Sequence, residues 1–285
     1  MTADRALGAP PGVVRGGTAT LGALLGSAHL GPALAVTTLA ALLAVAAGHP
    51  LRTTVVLTAA VLAGQLTIGW GNDLRDADRD RSVGRADKPL ARGEVDPRLV
   101  LGCLLVAGVL CVVLSGALGW RSALVHLGPG VLAGHAYNLH LKATPWSWVP
   151  YASAFGMLPA VVSLAGPDRA WPSPWLLVAG ACLGVGAHLL NVLPDLDDDA
   201  RTGVRGLPHR LGAGPSRVLA AVLLLAASLA AVLALPGPVP DWAWGVLVAA
   251  AALAIVAAVG RGRLPFRAAV AVAMLDVVLL VAAGR

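Results

Sequence analysis

Two short aspartate-rich stretches hold the side chains of this sequence that are best suited to chemistry. We call residues 72–80 the first motif and residues 191–199 the second motif. Each has an asparagine and two aspartates at intervals of four residues, namely Asn72, Asp76 and Asp80 and then Asn191, Asp195 and Asp199. This spacing predicts three side chains on one side of a helix. Carboxylates stacked so closely repel one another unless a cation intervenes, and Mg2+ suits the position because it combines a few carboxylates with water and phosphate oxygens.

The two motifs are copies of one another. When the sequence is shifted by 119 residues, eight of the 22 positions from 72 to 93 are identical to those from 191 to 212. The identities include glycine and proline as well as acidic residues, which indicates an internal duplication. A merely solvated loop is the simpler interpretation of either motif alone. The duplication favours one site built from both.

The composition of the chain places both motifs in a membrane protein. With 57% hydrophobic residues, 13% charged residues and a mean hydropathy of +0.77, the sequence is too apolar for a soluble domain of 285 residues. Its 21 basic residues lie between apolar runs and form no single stripe, which argues against a nucleic-acid partner. The three cysteines lie inside apolar runs and lack metal-binding spacing.

Nine apolar segments approach the length of about 20 residues that a transmembrane helix requires. We predict them at residues 29–47, 52–71, 98–118, 122–139, 148–166, 174–193, 216–235, 241–260 and 264–283. The predicted fold class is therefore all-α, a polytopic membrane protein with nine transmembrane helices around a central cavity and two Asp-rich cytoplasmic motifs. We expect one domain over residues 1–285, in which residues 1–20 form a flexible cytoplasmic N-terminus.

The basic residues predict the orientation of these segments. If the N-terminus lies inside, 17 of the 21 basic residues fall in inner segments and four in outer ones, as the positive-inside rule requires. Both motifs are then cytoplasmic and the C-terminus lies outside, in a membrane of the bacterial plasma-membrane type. Four crossings separate the motifs, so both copies enter the membrane in the same sense and can face each other across the cavity.

Four stretches of the sequence resemble those of a known family. Residues 72–80 (Asn-Asp-Leu-Arg-Asp-Ala-Asp-Arg-Asp) resemble the first motif of the UbiA superfamily of intramembrane prenyltransferases, and residues 195–199 (Asp-Leu-Asp-Asp-Asp) resemble its second. Residues 85–93 are similar to the stretch that follows the first motif, and residues 137–142 (Tyr-Asn-Leu-His-Leu-Lys) to an element after the fourth helix. The resemblance implies Mg2+-dependent transfer of a prenyl group from a prenyl diphosphate to an aromatic or other lipophilic acceptor within the membrane.

The resemblance also implies roles for three sets of residues. The metal ligands would be Asn72, Asp76, Asp80, Asp195 and Asp199. The residues that bind the diphosphate would be Arg85, Lys88, Tyr137, Lys142 and Arg201. The catalytic residues would be Asp73, Asp76 and Asp195, with Asp73 or bulk water removing the proton of the acceptor. The implied partners are Mg2+, a prenyl diphosphate, a lipophilic acceptor and membrane lipids.

Two features leave alternatives open. Residues 27–32 lack the Arg-Pro pair that many family members have at the start of the first helix, so the acceptor is not identified. A terpene cyclase of the same superfamily would capture the prenyl cation within its own chain. A transporter is the more remote alternative, because transporters place their charges near the bilayer midplane whereas these acids cluster at one surface. Asp276 lies within the ninth segment, and we expect its carboxyl group to bond to a neighbouring helix.

Overall fold

A computed structural model of the chain describes residues 17–85, 88–235 and 237–283. Over these ranges the backbone forms helices joined by short turns, as apolar segments must in a bilayer, where every backbone N–H and C=O needs an internal partner. The helices are α1 (Gly17–Gly26), α2 (Leu30–Ala46), α3 (Leu51–Ser82), α4 (Pro97–Ala117), α5 (Trp120–Val125), α6 (Ala133–Leu139), α7 (Val149–Leu164), α8 (Pro174–Val192), α9 (Leu196–Arg201), α10 (Leu207–Leu211), α11 (Ala213–Leu233), α12 (Asp241–Val259) and α13 (Leu264–Ala282). The all-α fold class is confirmed.

Each of the nine predicted segments coincides with helix, but their number as membrane spans is not confirmed exactly. Six helical spans in the described ranges are long and apolar enough to cross a membrane, or seven if α1 and α2 form one bent span. The fourth segment is composite, because π-helical turns at His126–Leu132 join α5 to α6. Pro129 lies in these turns and has no N–H to donate to the helix. The fifth segment, α7, has 16 residues.

The first helix begins within the segment that we expected to form a flexible N-terminus. Residues 17–20 are the beginning of α1, whereas residues 1–16 lie outside the described ranges, so the expected flexible N-terminus stays a prediction. α1 meets α2 at an angle of 68°, and His29 at this bend has a φ of 53°, a left-handed conformation that few residues other than glycine adopt. α3 presses against the bend so closely that a Cβ atom on Gly69 would lie 2.2 Å from the carbonyl oxygen of Ala28.

Six helical segments pack as a ring around a central space. α2 contacts α3 on one side and α13 on the other, while α3 contacts α6, α6 contacts α7, α7 contacts α8, and α8 contacts α13. α4 packs outside the ring on α3, and α12 packs outside it on α11 and α13. The first motif lies on α3, and the second begins at the end of α8. Because both helices belong to the ring, both motifs can face its interior.

Candidate active site

The helices of the ring line a partly open cavity of about 570 Å3, which we call the main cavity. Its polar lining includes side chains from both motifs and from α6 and the loops near them: Asn72, Asp76, Arg79, Asp80, Arg85, Lys88, Tyr137, Lys142, Asn191, Asp195 and Asp199. Its apolar lining includes Val36, Leu39, Val61, Leu158, Val161, Leu183, Ala187 and Ala269. Two motifs that are 119 residues apart therefore share one compartment, with charge at one end and hydrocarbon beyond it.

The first motif lies on a single uninterrupted helix. α3 continues for 32 residues, so Asn72, Asp76 and Asp80 project from one side of it, as the spacing predicts. Asp76 is buried and accepts hydrogen bonds from Lys142 Nζ at 2.6 Å on both carboxylate oxygens. Arg79 Nη2 donates to Asp76 at 2.9 Å. The Asp76 carboxylate is thus buried and neutralised by cations that also line the cavity.

The second motif departs from the continuous helix that its spacing predicts. α8 ends at Val192, a 3₁₀ turn follows at Leu193–Asp195, and only then does α9 begin. Pro194 lies in this turn, and proline cannot donate the N–H bond that a continuing α-helix needs. The first motif has Arg75 at the corresponding position. The 3₁₀ turn therefore changes the direction of Asp195 relative to Asn191 without removing it from the cavity.

Cations connect the two motifs. Arg85 follows the first motif, and its Nη1 atom lies 3.2 Å from Asp195 Oδ1 of the second. The positive charges of Arg79 and Lys142, which bind Asp76, also act on Asp199. Basic side chains of the first motif and its following loop therefore neutralise carboxylates of the second motif. The acidic side chains of both motifs thus lie around one shared group of charges.

Asp73 organises a second group of polar side chains behind the cavity wall. It is only 1% exposed, and its Oδ1 atom accepts a hydrogen bond from Lys88 Nζ at 2.6 Å and lies 2.8 Å from His29 Nε2. Lys88 and His29 line the main cavity, whereas Asp73 is not among the described residues that line it. Asp73 therefore holds the two lining residues in place through their side chains.

The end of α6 and the turn that follows it contribute Tyr137 and Lys142. Tyr137 packs edge-on against Tyr151, with ring centroids 5.3 Å apart, and against His188. The chain has only two tyrosines and two phenylalanines, and all four line the main cavity. Lys142 lies in a 3₁₀ turn between α6 and α7; burial lowers the pKa of its ammonium group, and the charge of Asp76 opposes this shift.

Most of the site residues that we predicted line the main cavity, but Asp73, described above, and Arg201 do not. Arg201 lies furthest from the prediction. Its side chain is 69% exposed on α9 and forms an ion pair with Asp198. Sequence reasoning also missed Arg79 and His29, which do line the cavity. Arg79 follows Asp76 by three residues and so shares its side of α3, a signal that the sequence contains. The position of His29 follows from the bend between α1 and α2, which no sequence motif predicts.

The residues of the site suit Mg2+ if oxygen atoms of the substrate supply part of its coordination shell. Over the described ranges there is no ready-made group of three or more His, Cys, Asp or Glu side chains placed to bind a metal. The donors that face the cavity are carboxylate and amide groups, whose hard oxygens suit Mg2+. Mg2+ commonly binds through one or two carboxylates and completes its shell with phosphate oxygens and water. Cations that suit a diphosphate lie beside these donors.

Comparison with known sequences decides the family. Residues 33–281 match the sequence profile of the UbiA prenyltransferase family. The chain belongs to this family. It is 28% identical over 207 residues to the digeranylgeranylglyceryl phosphate synthase of Methanopyrus kandleri, a match that covers 71% of this chain and 73% of the relative. It is also 32% identical over 193 residues to the bacteriochlorophyll synthase 33 kDa chain of Cereibacter sphaeroides, covering 61% and 60%.

The fold of the chain is that of a UbiA homologue. The structure of such a homologue from Archaeoglobus fulgidus bound to GPP and Mg2+ superimposes with a TM-score of 0.66 at 17% sequence identity, over 92% of this chain and 99% of that one. The predicted family, the polytopic membrane class and the assignment as a prenyltransferase are thereby confirmed. The orientation of the termini stays a prediction.

Proposed function

We propose that this prenyltransferase uses Mg2+ and both motifs to ionise a prenyl diphosphate and transfers the prenyl group to an aromatic or other lipophilic acceptor in the membrane. The observation that carries the proposal is the shared lining of the main cavity. Both motifs and the basic side chains near them line its polar end, and mainly apolar side chains, with Gln65 and His126 among them, line the remainder. A diphosphate with a hydrocarbon tail needs this distribution of charge. The GPP and Mg2+ of the Archaeoglobus homologue are consistent with it.

The reaction begins at the bond between C1 of the prenyl group and the diphosphate oxygen. This bond breaks and its electron pair leaves with the diphosphate. Arg85, Lys88 and Lys142 stabilise the charge that builds on the departing group, because fixed cations in a water-poor site act more strongly than they do in bulk water. Tyr137 donates a hydrogen bond to the same diphosphate group. The aliphatic walls exclude the water that would otherwise trap the allylic cation.

The predicted metal ligands retain their role in this proposal. Asn72, Asp76, Asp80, Asp195 and Asp199 would hold Mg2+, which when bound supplies further positive charge to the diphosphate. Lys142 and Arg79 bind Asp76 directly. With the Asp76 carboxylate engaged in metal binding, these two cations would be available to bind the diphosphate.

The acceptor completes the reaction by attack on C1. Its nucleophilic atom forms the new bond and loses a proton. We assign the removal of this proton to water rather than to Asp73, because Asp73 lies behind Lys88 and His29 and is already engaged by them. Asp73 acts as a positioning residue, since it holds Lys88 toward the diphosphate. The two relatives are named after different products. Their names therefore do not identify one acceptor, which has to be found by assay.

The proposal is tested with purified protein in lipid nanodiscs. Prenyl diphosphates of several lengths and a panel of phenolic and glyceryl phosphate acceptors are supplied, and lipid products are identified by mass spectrometry. We expect a prenylated acceptor, loss of turnover in EDTA, and recovery when Mg2+ is added in excess. Asp199→Asn should lower turnover, while the matched control Asp198→Asn should not, because Asp198 pairs with the exposed Arg201. Full turnover in EDTA would overturn the role of the metal.

A membrane terpene cyclase is the competing function. It would use the same polar end of the cavity but would return a cyclic hydrocarbon and leave every acceptor unmodified. Detection of such a hydrocarbon from prenyl diphosphate alone would replace the transfer reaction with cyclisation. Unchanged diphosphate that crosses a liposome membrane would indicate transport instead.

A further inference from the structure

A second, smaller cavity lies beyond the apolar end of the main cavity. This end cavity has a volume of about 50 Å3 and is lined by α2, α7, α8, α11 and α13. Five residues line both cavities and separate them: Leu39, Phe155, Leu158, Leu183 and Ala273. We call these five residues the partition. No part of the proposed chemistry uses the end cavity.

The two cavities are stacked along the same helices. On α8 the main cavity is lined from Asn191 to Leu183 and the end cavity from Leu183 to Trp175. On α13 the corresponding change occurs at Ala273, with Asp276 on the far side. Each stretch of α8 spans eight residues, which is about 12 Å at 1.5 Å per residue. A prenyl tail that enters from the polar end therefore meets the partition after about 12 Å, with a much smaller space behind it.

Phe155 is the largest side chain of the partition, and close helix packing fixes its position. α7 approaches α8 at two glycines four residues apart. A Cβ atom on Gly184 would lie 2.7 Å from Phe155 Cβ, and one on Gly180 would lie 2.5 Å from the Phe155 carbonyl oxygen. On its other side the Phe155 ring stacks on Tyr151 at 6.4 Å between centroids. The ring therefore has little freedom to move aside for a longer tail.

Asp276 is the charged residue that lines the end cavity. It is 5% exposed, and the Ser228 hydroxyl of α11 is a hydrogen-bonding neighbour of its carboxyl group, so the partner on a neighbouring helix that we expected is present. Neither carboxyl oxygen makes a hydrogen bond of full geometry among the described residues. A buried carboxyl group that is only partly satisfied is costly to surround with hydrocarbon, so a prenyl tail that entered the end cavity would lie against it at an energetic cost.

We propose that the partition, chiefly Phe155, sets the longest prenyl tail that the main cavity accepts, and that Asp276 behind it makes the end cavity unfavourable for hydrocarbon. The inference rests on the proposed function, since it assigns a length limit to the same substrate. It identifies a specificity-determining residue at the end of the site opposite the diphosphate. Tails shorter than the depth of the main cavity do not reach Phe155, so their binding is independent of it.

The test measures binding, so it does not depend on the acceptor. Unreactive thio analogues of geranyl, farnesyl and geranylgeranyl diphosphate are titrated with Mg2+ into protein in nanodiscs. We expect the affinity of the wild-type protein to stop rising once the tail reaches the partition. Phe155→Ala joins the cavities and should raise the affinity for the longest analogue relative to geranyl by about tenfold, the scale on which apolar pockets discriminate small changes in length. Phe155→Trp should lower the same ratio.

Two further variants sharpen the result. Asp276→Val added to Phe155→Ala should raise the long-to-short ratio again, because the polar obstacle is removed, whereas Asp276→Val alone should leave the ratio unchanged behind an intact partition. Leu164→Ala is the matched control, since Leu164 is buried on the same helix but lines neither cavity. It removes a similar apolar side chain and should not alter the ratio.

The outcomes separate this inference from the proposed function. A long-to-short ratio that stays the same in Phe155→Ala and in Phe155→Trp, with geranyl binding retained in either, would overturn the inference and leave the diphosphate site intact. A ratio that changes equally in Leu164→Ala would also overturn it, because the effect would then be one of general packing. Loss of Mg2+-dependent geranyl binding in the wild-type protein would instead contradict the proposed function.

Discussion

The two motifs have the same donor residues but different surroundings. In the first, α3 runs without a break, and the Asp76 side chain is 7% exposed and held by Lys142 and Arg79. In the second, a 3₁₀ turn interrupts the helix, and the Asp195 side chain is 37% exposed with Arg85 beside it. A duplicated sequence has therefore produced one buried, charge-compensated half and one more open half.

This difference indicates how the two halves divide the work. A buried carboxylate with several charged partners is costly to disturb, because removing it leaves those cations without compensation. A partly exposed carboxylate can exchange its partner for water at lower cost. We expect the first motif to provide a preorganised half of the site and the second to adjust to the substrate. The predictions below test this division, from the largest effect to the smallest.

The largest effect should follow a change in the first motif. Asp76→Asn removes the charge that Lys142 and Arg79 share and a proposed metal ligand, so we expect kcat/KM to fall about 10³-fold, the upper range for loss of one preorganised electrostatic group. Steady-state kinetics in nanodiscs measures the change. A loss smaller than about tenfold would contradict the preorganised role of this motif.

Asp195→Asn should have a smaller effect than Asp76→Asn. The group is partly exposed, so water can replace some of what is lost, and we expect a fall of about 10²-fold in kcat/KM. Raising the Mg2+ concentration should restore part of this activity, which it should not do for Asp76→Asn. Equal losses with equal responses to Mg2+ would show that the two halves do not differ.

The contact between the motifs should matter less than the motifs themselves. Arg85→Met removes the group beside Asp195 and a proposed diphosphate ligand, and we expect an increase of about tenfold in KM for the diphosphate with a smaller change in kcat. Arg81→Met is the matched control, because Arg81 pairs with the exposed Asp78 outside the main cavity. A change in kcat alone would contradict a role in binding.

The smallest effect should occur at the aspartates that face away from the cavity. Asp78 and Asp197 occupy equivalent positions in the repeat, both are exposed, and neither is among the described residues that line the main cavity. Asp78→Asn and Asp197→Asn should change kcat/KM by about twofold at most, as exposed substitutions usually do. A large loss at either position would show that acidity of the loop, rather than direction toward the cavity, determines activity.

The sequence predicts those parts of the fold that depend on periodic spacing. Intervals of four residues place Asn72, Asp76 and Asp80 on one side of α3, and apolar length locates the helices, because both follow from the geometry of a single helix. The duplication predicted that both motifs could share one interior. The family and the enzyme class follow from the same residues.

The remainder depends on tertiary contacts that spacing does not encode. His29 reaches the cavity because α3 packs on the bend between α1 and α2 at Gly69, and Asp73 lies behind the cavity wall, where it binds Lys88. Arg201 has the right type and a suitable place in the sequence, but α9 directs it to the surface. Pro194 is present in the sequence, but the similarity to the first motif predicted a continuous helix. The break that Pro194 causes in this helix was therefore not predicted.

The most direct test of the account is a double-mutant cycle between the motifs. The affinity of the unreactive thio analogue of geranyl diphosphate, with Mg2+ present, is measured by calorimetry for the wild-type protein, Asp76→Asn, Asp195→Asn and the double variant. If both carboxylates serve one bound diphosphate, the losses will not add, and the coupling free energy will be at least about 1 kcal/mol. Losses that add to within about 0.5 kcal/mol would mean that the motifs act independently and would contradict a shared site.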